Sequence, residues 1–181
     1  MRQADLEIIA ARLNAAGNDI VAVMRLIGNL AGEWIEMRHT PPNPELDGFR
    51  SRADVARYLM REAEFFPGTF DGFKAATTAR VEADYIVIDP LSFSGKLAGQ
   101  DRQVDIRYIL NLHFDGDAMC KITGALTREN KREDLIAWLK VIQSQGGLGQ
   151  TLALEKIPAP DARVAASTPT AHPLAKAPSW H

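Results

Sequence analysis

The chain has one cysteine, Cys120, so no disulfide can close within it. A lone thiol suits a reducing compartment, and the cytoplasm is the expected location. Cys120 alternates with Lys121 inside a strand-like run, which gives the thiol a structural role. Basic residues are not clustered: 21 Lys and Arg are offset by 23 Asp and Glu, for a net charge of −2. Without a basic patch there is no footprint for a phosphate backbone, and nucleic acid is not an expected partner. No apolar run approaches the roughly 20 residues a bilayer span needs, so no membrane contact is expected. Met1-Arg2-Gln3-Ala4-Asp5 leads into an amphipathic pattern rather than the apolar core of a signal peptide. The four histidines are dispersed, and no His-x-x-x-His, Cys-x-x-Cys or carboxylate pair stands at ligand spacing. No metal is expected. A Gly-x-Ser-x-Gly elbow is also absent. Gly146-Gly147-Leu148-Gly149 follows a helical pattern instead of opening one, so it is not a phosphate cradle.

What is present is a globular composition, 46% hydrophobic and 24% charged, in 181 residues. The most regular stretch runs from Asp84 to Leu126 and predicts three strands in series. In its middle, Val104, Ile106, Tyr108, Leu110, Leu112 and Phe114 alternate with Asp105, Arg107, Ile109, Asn111 and His113. Asp115-Gly116-Asp117 is a hairpin signal between two such runs. Ser92 to Gln103, with two glycines, predicts a strand end and a loop.

Ahead of this meander, apolar residues at helical spacing predict helices over 4–16 and 19–30. A short strand follows over 33–39, stopped by Pro41, Pro42 and Pro44. Ser51-Arg52-Ala53-Asp54 resembles a capping box opening a third helix to about residue 63, and residues 71–82 read as a strand. After the meander, Asn130 with Glu133 predicts the cap of a fourth helix. Five prolines among alanines from Ile157 onward predict an extended tail, so the expected division is a single domain over 1–150 and a tail over 151–181. That tail, ending near Trp180, has the alternative of wrapping a partner.

This order of elements resembles the nuclear-transport-factor-2-like superfamily. Four passages carry the resemblance: 11–17, 32–37, 48–55 and 113–118. It implies an α+β fold, a curved antiparallel sheet forming a cone-shaped barrel around the N-terminal helices. The helix after Asn130 and the Pro-rich tail are additions to that pattern. Ketosteroid isomerases, scytalone dehydratases, limonene epoxide hydrolases and SnoaL-like polyketide cyclases share this cone. Ketosteroid isomerases need a tyrosine and two aspartic acids where this chain has Ile9, Met37 and Leu110, which disfavours that reaction. Asp105 and Arg107 match part of the epoxide hydrolase spacing, without the final-strand aspartate.

The resemblance further implies a cofactor-independent enzyme that abstracts a proton next to an activating group. The expected activity is that of a lyase, dehydratase or isomerase on a small, largely apolar, aromatic or polyketide-like substrate. Such chemistry needs a tuned base, an oxyanion donor and a dry pocket. His39, Asp89 and Tyr108 are the candidate catalytic residues. His39, with Arg38 beside it, is the leading base, because a histidine side chain changes charge near neutral pH. Asp89 shares an alternating face with Tyr85, Val87 and Leu91, and Tyr108 lies on the apolar face of the central strand. Trp34, Arg38, Tyr58 and Tyr85 are candidate substrate contacts. Each has a structural alternative: a surface Arg-His pair, a solvent-facing strand-end aspartate, or a packed core aromatic. The face bearing Asp105, Arg107, Asn111 and His113 is expected to meet a second subunit. A non-catalytic ligand-binding or protein-association module is the alternative function.

Overall fold

The structure is a computed structural model and describes residues 2–43 and 46–146. The expected tail over 151–181 lies outside the described residues. Helices α1 (Gln3–Ala16) and α2 (Ile20–Leu30) come first, then strands β1 (Ala31–Thr40) and β2 (Gly48–Ser51) and helix α3 (Arg52–Phe65). A 3₁₀ turn (Phe66–Thr69) leads into β3 (Phe70–Glu82), β4 (Tyr85–Leu97), β5 (Gln103–Asp115) and β6 (Ala118–Leu126), and α4 (Arg132–Ser144) closes the described part. The sheet has six strands in the order β2-β1-β6-β5-β4-β3. It is curved and unclosed. All neighbours are antiparallel except β1 and β6, which run parallel, so the sheet is mixed where a wholly antiparallel one was expected. A parallel pair needs a long crossover, and here the chain from β2 to β5 supplies it.

Local chemistry explains most boundaries. The Asp19 side chain accepts the Ala22 N–H at 3.0 Å and starts α2. Ser51 Oγ accepts the Asp54 N–H at 3.2 Å and starts α3. Gly116, at φ 57°, makes the β5–β6 hairpin turn. Two boundaries differ from expectation. β4 runs on to Leu97, because Phe93 and Leu97 are core residues, Phe93 paired with both β3 and β5 and Leu97 with β3. Asn130 does not cap α4, whose N-cap is Lys131. It clamps β5 instead: its Oδ1 accepts the Arg107 N–H at 2.8 Å, and its Nδ2 donates to the Arg107 carbonyl at 2.7 Å.

The core lies in the concavity of the sheet, under the four helices. Val104, Ile106 and Leu112 of β5 face it together with Ile86, Ile88, Leu91 and Phe93 of β4. The mouth of the curve is filled by Trp138 of α4, 1% exposed, whose indole N–H donates to Thr69 Oγ1 at 3.1 Å. Truncating such a residue to alanine costs about 3–5 kcal/mol.

Candidate active site

An apolar cavity of about 120 Å³ opens between α2, α3, α4 and the concave face of β1, β4, β5 and β6. A cavity of roughly 150 Å³ holds a benzene ring, so this one suits a single ring or its aliphatic equivalent. Four aromatic rings form its floor in a closed circuit. Phe66 stands 5.0 Å from Phe93 and 5.3 Å from Trp138, and Tyr108 stands 6.1 Å from Phe93 and 6.3 Å from Trp138. Tilted and edge-on pairs at these separations are favourable in their own right.

Polar groups converge on this apolar space from three elements. His39, near the C-terminal end of β1, has its Nδ1 2.6 Å from Asp47 Oδ1. An ionised carboxylate only accepts, so Nδ1 carries the proton and Nε2 of the neutral ring is left as a base. Asp47 is held in turn: its Oδ2 accepts the Asn43 N–H at 3.0 Å. Its carbonyl accepts from Arg50 at 3.1 Å. The His39 ring lies against Gly124 of β6, where an added Cβ would stand 3.2 Å from His39 Cδ2 and 3.1 Å from Leu110 Cδ2. Glycine is what lets the imidazole sit this close to the strand.

Glu62 is the second polar group. It lies on the face that α3 turns to the core and is 7% exposed. Burial pushes its carboxyl up to about 8, opposed by Arg61 and by the Tyr58 hydroxyl one turn earlier. The group is therefore mostly protonated near neutral pH. Tyr58 and Tyr108 complete the set. Burial raises both phenols, the Glu62 carboxyl adds to the rise in each, and both stay neutral donors. The Tyr108 hydroxyl has no hydrogen-bond partner among the described residues.

Of the residues singled out from sequence, His39, Tyr108 and Tyr58 line the cavity. Asp89, Arg38, Trp34 and Tyr85 do not. β4 carries a bulge: Asp89 and Pro90 stand opposite Ile109 alone on β5, between the pairs Ile88–Leu110 and Leu91–Tyr108. The extra residue reverses the alternation, so Leu91 points inward while Asp89 points out and pairs with Arg80 at 3.4 Å. Arg38 points out to Glu36, and the partner of His39 is Asp47 rather than Arg38. Trp34 is 60% exposed on the outer face. Tyr85 stacks on His113 at 4.9 Å on that same face and donates to Glu82 of β3 at 3.2 Å.

Glu62 and Asp47 were not anticipated. Glu62 did leave a signal, a carboxylate three residues after Leu59 and seven after Val55 on an apolar stripe. Asp47 left none, because a loop residue among prolines has no periodicity to break. Among the described residues no group of three or more His, Cys, Asp or Glu side chains is placed to hold a metal ion.

Comparison with solved structures decides the fold. A candidate SnoaL-like polyketide cyclase from Jannaschia sp. CCS1 superposes with a TM-score of 0.50 at 11% identity, over 78% of this chain and 93% of that one. The chain has the nuclear-transport-factor-2-like fold. Two further similar structures are AclR, a candidate hydroxylase from Streptomyces galilaeus, and TsrD from Streptomyces laurentii. AclR gives a TM-score of 0.49 at 14% identity over 76% of this chain and 86% of its own. TsrD gives 0.48 at 18% identity over 75% and 97%. The fold assignment rests on the first of the three. No family model matches the sequence, and no curated protein matches it. Within the nuclear-transport-factor-2-like fold, the cavity lies inside the sheet's curve, and α4 lies across its mouth. No helix among the described residues is long and apolar enough to cross a membrane.

Proposed function

We propose that this chain is a cofactor-independent lyase, dehydratase or isomerase that moves a proton within a small, largely apolar, ring-sized substrate. One observation carries the reading: an Asp47-oriented His39 and a buried, protonated Glu62 line the same aromatic-floored cavity. They are two titratable groups held in opposite roles, a base and an acid. His39 Nε2 takes the proton from carbon next to a carbonyl. Electron density moves to the carbonyl oxygen, where Tyr108 and Tyr58 donate hydrogen bonds to the developing enolate. Glu62 then gives its proton either to a departing hydroxyl, which leaves as water, or to the carbon skeleton at a new position. Transfer from the His39 imidazolium back to Glu62 resets the site.

The test is turnover of a panel of small aromatic and polyketide-like β-hydroxy ketones, followed by absorbance of the conjugated product. His39→Asn and Glu62→Gln should each lower turnover by roughly 10²- to 10⁴-fold. Asp47→Asn should follow His39→Asn. Retained activity in both His39→Asn and Glu62→Gln rejects the assignment. The outer sheet face we assign to a second copy of the chain. A ligand-binding or protein-association module without turnover is the second reading. It is favoured by Trp34 and Phe49, 60% and 69% exposed on neighbouring strands at the β1–β2 edge.

A further inference from the structure

Beside the cavity lies a second concavity, between α3 and the inward face of β2, with Met37 and Tyr58 in both linings. Tyr58 is thus a shared wall. The floor of this groove is apolar: Met37, Leu46 and Val55 are all buried. Its rim is cationic, with Arg50 from β2 and Arg57 and Arg61 one turn apart on α3. The register explains Arg50: it pairs with Ile35, which is fully buried, so its side chain leaves β2 toward the core side rather than the outer face. Among the described residues Asp54 is the one acidic residue in the lining, and it is engaged: it pairs with Arg57 at 3.2 Å and accepts from Ser51 Oγ at 2.7 Å. Arg61 makes no hydrogen bond or ion pair among the described residues. Asp54 offsets one of the three guanidiniums, and Arg50 donates to the Phe49 and Asp47 carbonyls, so the excess positive charge over the apolar floor centres on Arg61 and favours an oxyanion in a place already partly dry.

We infer that the natural ligand is amphipathic: an apolar ring for the cavity, joined past Tyr58 by a short flexible tether to a carboxylate or phosphate that the Arg57–Arg61 groove binds. This inference deepens the proposed function and rests on the cavity being the ligand site. The arginines do not line the cavity itself, so they set affinity and orientation and serve as neither base nor acid, although Arg61 acts on the neighbouring Glu62 carboxyl. Guanidinium pairs with planar carboxylate and with phosphate equally through its fork, so the shared chemistry is the oxyanion and its reach.

The experiment is calorimetric titration of the full chain with 4-phenylbutyrate, 4-phenylbutyl phosphate and the neutral 4-phenylbutyramide. The two anions should bind about tenfold or more tightly than the amide, with a preference that shrinks as salt rises. Whichever anion binds more tightly identifies the headgroup. Arg61→Gln and the double variant Arg57→Gln/Arg61→Gln should reduce the anions to the affinity of the amide and leave the amide unchanged. Arg25→Gln, an equal charge change at an exposed position of α2, should leave the preference intact. Equal binding of anions and amide, or a preference that survives the double variant, overturns the groove while the cavity reading stands. Failure of all three probes to bind overturns both.

Discussion

Glu62 follows Leu59 by three residues and precedes Phe66 by four, so helical spacing alone puts its carboxyl on the stripe that α3 turns inward. Burial raises it from an ordinary 4.5 to about 8, and that shift has a consequence for stability. The folded protein keeps a proton that the unfolded chain releases, so stability falls as pH rises across the interval between those values. The contribution is fully present below about pH 4.5 and is lost as pH climbs through about 8. Thermal melts of wild type should therefore show a decline over that window which Glu62→Gln lacks, leaving the variant the more stable at the alkaline end. Parallel melting curves for the two would show that Glu62 is ionised in the fold at neutral pH. His39 makes a different point at the same scale. Its histidine character was readable, but its partner was not. Arg38 is adjacent in sequence yet points to the opposite face of β1, while Asp47 arrives from a loop eight residues away.

Among the elements, β4 taught most. Read as an unbroken alternation, Tyr85, Val87, Asp89 and Leu91 share a face. The bulge at Asp89-Pro90 inserts one residue, and Asp89 leaves the site for Arg80. Proline in a strand is the sequence sign of such a bulge, but which side each residue then takes depends on the neighbouring strands. β5 has no such break over Gln103 to His113, and there the alternation held: Tyr108 and Leu110 face the cavity, and Asp105, Arg107, Asn111 and His113 lie on the other side. β6 contributes an absence of side chain. Gly124→Ala would place a methyl within about 3.2 Å of His39 Cδ2 and Leu110 Cδ2, tighter than ordinary contact. It should destabilise the protein by about 1–3 kcal/mol and tilt the imidazole off Asp47. The checks are the melting temperature and a pH profile of turnover displaced from that of wild type. A fully active, equally stable Gly124→Ala would show that the close seating of His39 on Gly124 is not needed.

At the scale of the molecule, the six-stranded sheet has two faces with different work. The concave one holds the core and the cavity. The convex one carries charged and polar rows, including Glu36–Lys121 at 3.1 Å and the Arg107 pairs with Asp105 and Glu129. It also carries the exposed Trp34 and Phe49 at its β1–β2 edge. If this face receives a second copy, sedimentation should give twice the 19.9 kDa chain mass, and Asn111→Arg at mid-face should return the monomer with ring binding in the cavity unchanged. A monomeric wild type at tens of micromolar would remove the assignment. The sequence by itself determined the four helices, the order of the strands other than β2, and the inward face of β5. Those depend on periods of 3.6 and 2.0 and on turn and cap residues, all of which act within a dozen neighbours. It also singled out His39, Tyr58 and Tyr108, which line the cavity. Only the tertiary structure decided which side chains meet. The parallel pairing of β1 with β6 sets Gly124 under His39, the bulge in β4 turns Asp89 away, and α3 carries Glu62 into an aromatic cavity. Each of these depends on contacts between residues dozens of positions apart, and burial of that kind is what makes Glu62 an acid.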